Sequence, residues 1–237
     1  MRGLRREVMI LGAFFPIVTV ALAAATLVAT ILAANVEAVG ALGVMIPALV
    51  ISGQVWRLVT WTFFEMSPMG LIFACFAFLF FGRELAHQWG PTRFLRVCLG
   101  IVVGAAVVTC LVAFAWPKVM SSPYASAWPL GEALIIAYAI LFPSRTILFS
   151  LIIPVAGRQL LILTVATTVL IGLLVSFVVV IPHFAAQGLM YAYLRGYSPW
   201  LLWLRLRART VRWSPQRRTS HLRPVERDDE EPPRWLH

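Results

Sequence analysis

Two long stretches without charge constrain this chain more than any other feature. Residues Met9 to Ala34 carry no charged side chain, and the 36 residues from Gln159 to Leu194 hold no acidic or basic group except His183. A single helix of 36 residues would run roughly 54 Å. The hydrocarbon core of a bilayer is only about 30 Å thick. The second stretch therefore reads as two crossings with a tight turn near Leu173–Ser176, where Gly172 is the nearest helix-weakening residue. Only 13% of the 237 residues are charged, against about a quarter in a soluble domain. That composition excludes an ordinary soluble enzyme and a disordered chain. Cys75, Cys98 and Cys110 each sit in an apolar stretch, without a CxxC or a flanking His pair. They read as small buried hydrophobes rather than as metal ligands or a disulfide framework. No cofactor or metal is expected.

The run lengths predict an all-α polytopic membrane protein with six spans, at about 9–34, 69–82, 97–115, 128–142, 159–174 and 177–195. Residues 1–8 form a short N-terminus, and 197–237 a tail outside the membrane domain. Residues 35–68 mix Glu37, Gln54, Arg57 and Glu65 with Trp and Phe, which predicts an interfacial element with Trp56 and Trp61 at headgroup level. The segment 82–96, GRELAHQWGPTRFLR, reads as a loop. The fourth span starts at Trp128-Pro129 and stops at Pro143. Its roughly 15 residues rise about 22 Å, less than the bilayer core. A helix that stops short of the surface has to be ringed by other helices or to face a wet cavity. Gly131, Ala133 and Ala137 offer small faces for that packing.

Six spans place both termini on one side. The loops on that side carry 18 of the 20 basic residues, leaving Arg57 and Lys118 on the other. By the positive-inside rule both termini are cytoplasmic, and the expected location is a bacterial inner membrane. The tail interleaves Arg205, Arg207, Arg209 and Arg212 with Trp200, Trp203 and Trp213. Stacking on single-stranded nucleic acid is one use of such a pattern. A basic amphipathic extension on the anionic membrane face, followed by a disordered end, suits its juxtamembrane position better. Membrane lipids are then partners, and nucleic acid is not expected.

Polar groups inside spans are expensive and point to function. Few are present: Ser126 just before the fourth helix, Glu132 within it, and His183 and Gln187 four residues apart in the sixth. Residues four apart share a helix face. Ser126 and His183 form a candidate catalytic dyad, the imidazole taking the hydroxyl proton. The same Ser and His also suit interhelical hydrogen bonding. Glu132 and Gln187 complete a polar cluster that could pair with His183 or line a polar path.

Four segments occur in a telling order: GQVWRLVTWTFF (53–64), FFGRELAHQWGPTRFL (80–95), LFPSRTILFSLIIPVAGRQ (141–159) and IPHFAAQG (181–188). Together they resemble the rhomboid superfamily of intramembrane proteins over roughly residues 50–196. The resemblance implies a six-helix rhomboid-like bundle with a short central fourth helix. It also implies a serine nucleophile in a GxSG motif at the start of that helix. Here the stretch is YASAWPLG (124–131), so Ser126 takes the serine position while Tyr124 and Ala127 replace both glycines. Counting back from Pro143 puts Trp128 there instead. The family's HxxxN oxyanion pair falls on Gly70 and Ala74, and its AHxxGxxxG on Pro182, His183, Ala186 and Met190. Losing one oxyanion donor removes on the order of 3 kcal/mol of transition-state stabilisation. The resemblance thus implies a rhomboid-like pseudoprotease that binds transmembrane helices of client proteins. The alternative is a divergent intramembrane serine protease using Ser126 and His183.

Overall fold

The computed structural model describes residues 7–10, 13–149 and 153–196. The protein is a polytopic, mostly helical membrane protein. A β-hairpin, β1 (Glu7–Ile10) and β2 (Ala13–Pro16), leads into α1 (Ile17–Asn35). Short helices α2 (Glu37–Gly43), α3 (Pro47–Ile51) and α4 (Arg57–Thr60) follow, then a 3-10 turn over Trp61–Phe63. The long helices α5 (Pro68–Trp89) and α6 (Pro91–Ala115) come next, with α7 (Pro117–Met120) leading to α8 (Trp128–Leu141). A second hairpin, β3 (Thr146–Phe149) and β4 (Ile153–Ala156), joins α8 to α9 (Gly157–Leu174) and α10 (Phe177–Leu194). Helices α1, α5, α6, α9 and α10 are long and apolar enough to cross a bilayer, and α8 is a shorter apolar helix.

Helix α8 is the centre. It packs against α5, α9 and α10, and eleven of its fourteen residues are buried. At about 21 Å it is too short to reach both surfaces, so neighbouring helices supply its surroundings. Gly131 permits the approach of α5, because a Cβ there would stand 3.3 Å from Ala77 Cβ. α1 lies at the periphery, with only Val18, Thr19, Ala23 and Thr26 buried.

Side-chain contacts identify the two ends of the bundle. At one end His87 lies 3.9 Å from Glu7, Arg83 sits over the Phe15 ring, and Arg93 donates to the Tyr193 hydroxyl at 3.0 Å. Arg145 forms a 2.8 Å ion pair with Glu84 at this end too. The start of α1, the α5–α6 junction, the end of α8 and the end of α10 therefore share one face. The opposite end holds α2, α3, α4 and α7. There Met45 and Tyr124 pair as an isolated β-bridge.

Several boundaries differ from the sequence reading. The first span does not begin at Met9: the hairpin occupies Glu7–Pro16 and α1 starts at Ile17. The apolar residues Val8, Met9, Ile10, Phe14 and Phe15 suit a strand as well as a helix, and Pro16, having no N–H, fits the flank of a helix start. The fold class is all-α, as expected, with two small hairpins beside the helices. The segment 82–96 is not a loop. α5 continues to Trp89, Gly90 turns the chain at φ 78°, and Pro91 opens α6. Charged residues end an apolar run without ending a helix, since Arg, Glu and Leu are all good helix formers. α9 and α10 separate at Val175–Ser176, where the Ser176 hydroxyl accepts from Val178 N and caps α10. Trp61 is 1% exposed and packs inside the protein rather than at a headgroup. Trp56 is 48% exposed. The tail over 197–237 lies outside the described residues.

The region between α1 and α5 is fixed by polar side chains of α4 reaching the end of α2. Trp56 Nε1 donates to Leu42 O at 3.3 Å, Thr60 Oγ1 to Gly43 O at 2.9 Å, and Arg57 Nη1 to Val44 O. The last carbonyls of a helix have no partners of their own and favour a cation. Arg57 is buried and also donates from Nε to Gln54 Oε1 at 2.6 Å. Arg57→Met orphans these acceptors and should lower stability by about 2 kcal/mol, read as a fall in the thermal midpoint in detergent. Thr62 is as deeply buried, but its hydroxyl has no hydrogen-bond partner among the described residues. Thr62→Val should change the midpoint little. Equal effects of the two substitutions would contradict this account.

Candidate functional site

A buried polar cluster joins the three helices at the heart of the bundle. Glu132, one turn into α8, is 1% exposed. Its Oε2 lies 3.0 Å from His183 Nδ1 and accepts from Gln187 Nε2 at 2.9 Å. Its Oε1 lies 3.2 Å from Thr168 Oγ1 of α9, whose single hydrogen is shared with Thr164 O at 3.0 Å. Gln187 Nε2 also reaches Thr168 Oγ1 at 2.7 Å. His183 and Gln187 stand one turn apart on α10 and so meet the same carboxylate. The carboxylate thus receives one group from α9 and two from α10. In hydrocarbon such a group is tolerated when its lone pairs are filled by neighbouring helices.

Pro182 shapes α10 beside this cluster. It has no N–H, so Val178 O loses its partner one turn back. The Tyr124 hydroxyl takes that place, donating to Val178 O at 3.1 Å. Burial pushes the Tyr124 phenol up to about 12, which keeps it a donor across the physiological range. The loop before α8 is thereby pinned to the start of α10.

Ser126 belongs to a separate cluster. Its hydroxyl donates to Glu65 Oε2 at 2.8 Å and accepts from Trp128 N at 3.1 Å. The Ala127 N–H also donates to Glu65 Oε2, at 3.1 Å. A carboxylate therefore sits at the N-terminus of α8, where the helix dipole and free N–H groups favour negative charge. Gly70 makes the room, because a Cβ there would stand 2.8 Å from Glu65 Oε1. The Glu65 backbone is anchored in turn, its N–H donating to Thr30 Oγ1 of α1 at 3.1 Å.

The structure thus brings Glu132, His183 and Gln187 together and does not join Ser126 to His183. The Ser126 hydroxyl is held by Glu65, and His183 Nδ1 is paired with Glu132. Among the described residues no hydrogen bond links them. Two members of these clusters escaped the sequence reading. Thr168 carries no signal, because a helical Thr can satisfy its hydroxyl on its own backbone, as Thr164 and Thr167 do. Glu65 meets Ser126 across 61 residues, a separation that no local pattern reports.

Replacing Glu132 tests the cluster. Glu132→Leu strands the Gln187 amide and the His183 ring and should cost about 3 kcal/mol. Glu132→Gln keeps an acceptor of the same shape and should cost about 1 kcal/mol. Thermal unfolding in detergent reads both. Equal tolerance of Leu and Gln would show that the cluster contributes nothing specific. Tyr124→Phe should cost about 1 kcal/mol by orphaning Val178 O.

No curated protein matches the chain. A family described as eukaryotic integral membrane protein, DUF1751, matches residues 16–200. That description speaks against a bacterial inner membrane as the location. The match takes in all six apolar helices, from α1 through α10, and the buried cluster among them. The chain belongs to this family of integral membrane proteins.

Proposed function

We propose that the protein is a rhomboid-like membrane protein without proteolytic activity, which binds transmembrane segments of other membrane proteins. The observation that carries this reading is the position of Glu65. In a serine protease of this type the start of α8 would stabilise an oxyanion, using N–H groups beside the nucleophile and side chains from α5. Here the carboxylate of Glu65 holds the Ser126 hydroxyl and the Ala127 N–H. It also fills the space that Gly70 leaves on α5. A fixed negative charge at that point repels a developing oxyanion, and neither Gly70 nor Ala74 has a side chain able to donate.

Two further features support the reading. His183 Nδ1 is paired with Glu132 at 3.0 Å, and among the described residues no hydrogen bond joins the ring to Ser126, whose hydroxyl donates to Glu65 instead. The bundle nevertheless keeps a short buried helix, α8, packed among the longer α5, α9 and α10. The basic residues Arg83, Arg93, Arg145 and Arg195 fall at or near the end that also holds the start of α1. By the positive-inside rule that end is cytoplasmic, with both termini.

Purified protein in lipid nanodiscs, treated with a fluorescent fluorophosphonate, tests the non-catalytic part. The expected result is no labelling of the wild type above the Ser126→Ala background. Labelling that disappears in both Ser126→Ala and His183→Ala would overturn the reading and establish a divergent serine protease.

A further inference from the structure

A cleft of about 250 Å³ opens on the outside of the bundle, away from Ser126. Ile136 of α8, Leu161 and Val165 of α9, and Phe184, Gln187, Gly188 and Tyr191 of α10 line it. Its surface is almost entirely apolar, and the side chains with polar groups in its lining are Gln187 and Tyr191; among the described residues the Tyr191 hydroxyl makes no hydrogen bond to Gln187. Gln187 is 4% exposed, and its Nε2 is turned inward to Glu132 and Thr168. Its Oε1 has no hydrogen-bond partner among the described residues. An amide oxygen at membrane depth without a donor is costly, so this wall of the cleft is chemically incomplete.

The second observation concerns Gly188. It is exposed, and a Cβ at this position would meet no atom within 4 Å. Glycine weakens a helix by about 1 kcal/mol relative to alanine, and no packing among the described residues requires it here. Ala192 follows one turn later and is half-buried. Two small residues at this spacing let the backbone of another helix come close in a membrane. A lipid acyl chain would fill the cleft but bring no donor to Gln187 Oε1. A helix carrying a hydroxyl side chain would supply both close packing and the donor.

We infer that this cleft docks a transmembrane helix of a membrane partner, with a Ser or Thr of that helix donating to Gln187 Oε1 and its backbone packed on Gly188 and Ala192. The site deepens the proposed helix-binding function and rests on it. Gln187 then has two roles: its nitrogen closes the buried cluster and its oxygen reads the partner. Selection comes from the hydroxyl, because a purely aliphatic helix leaves the oxygen unpaired.

The full-length protein, labelled with a donor fluorophore and reconstituted in phosphatidylcholine vesicles, is titrated with two acceptor-labelled transmembrane peptides. One is all leucine in its span, and the other carries a single mid-span serine. The serine peptide should bind about fivefold more tightly, equivalent to the roughly 1 kcal/mol of one interhelical hydrogen bond in a bilayer. Gly188→Leu, which fills the cleft and leaves Gln187 in place, should abolish binding of both peptides. Gln187→Leu should erase the preference. Equal binding of the two peptides to the wild type would overturn the inference. So would unchanged binding to Gly188→Leu, while leaving helix binding itself standing at another surface. Absence of binding by either peptide would overturn the proposed helix-binding function together with this site.

Discussion

The carboxylate of Glu132, buried in a helix too short to cross the membrane, is the constraint around which the bundle is arranged. A carboxyl group at this depth has no water to turn to. It needs donors from outside its own helix, and α9 and α10 deliver them through Thr168, His183 and Gln187. The rest of α8 is apolar and small-faced, with Gly131, Ala133 and Ala137 all buried, so the neighbouring helices can come close enough for those donors to reach. Polar satisfaction and close packing are here the same requirement, seen from the side chain and from the backbone.

The ends of α8 follow from that central placement. Its N-terminus stops inside the protein, where free N–H groups need an acceptor. Glu65 provides one, and the glycine at position 70 leaves room for it. The Tyr124 hydroxyl repairs the gap that Pro182 makes in α10 and ties the same loop to that helix. Three breaks in regular backbone pairing are thus closed by long-range side-chain contacts: the end of α2, the start of α8 and the proline turn of α10. At the start of α8 the N–H groups of Ser126, Ala127 and Trp128 are all engaged, so none is free to donate to an oxyanion beside Ser126, and the non-catalytic reading rests on this part of the molecule.

The fold class was legible because lipid imposes a length. Runs of twenty or so uncharged residues, and the short interval between Pro129 and Pro143, are arithmetic statements about a bilayer. Glu132, His183 and Gln187 were legible because so few polar residues interrupt the spans. What escaped was of two kinds. The continuous apolar run after Glu7 has no period that would distinguish strand from helix, and the charged stretch 83–96 marks the limit of an apolar run, not of a helix. The partners of Ser126 and Glu132 were invisible for another reason. Glu65 lies far away in sequence, and Thr168 resembles its neighbours Thr164 and Thr167, since the hydroxyls of all three reach back to their own helix. Sequence identified the costly groups; only the packed helices identify which groups complete them.

The central claim is that Glu132 and Gln187 are energetically coupled across α8 and α10. A double-mutant cycle with Glu132→Leu, Gln187→Leu and the pair, followed by reversible unfolding in bicelles, measures that coupling directly. The account predicts that the double variant is destabilised by about 1–2 kcal/mol less than the sum of the single variants. Strictly additive losses would contradict it.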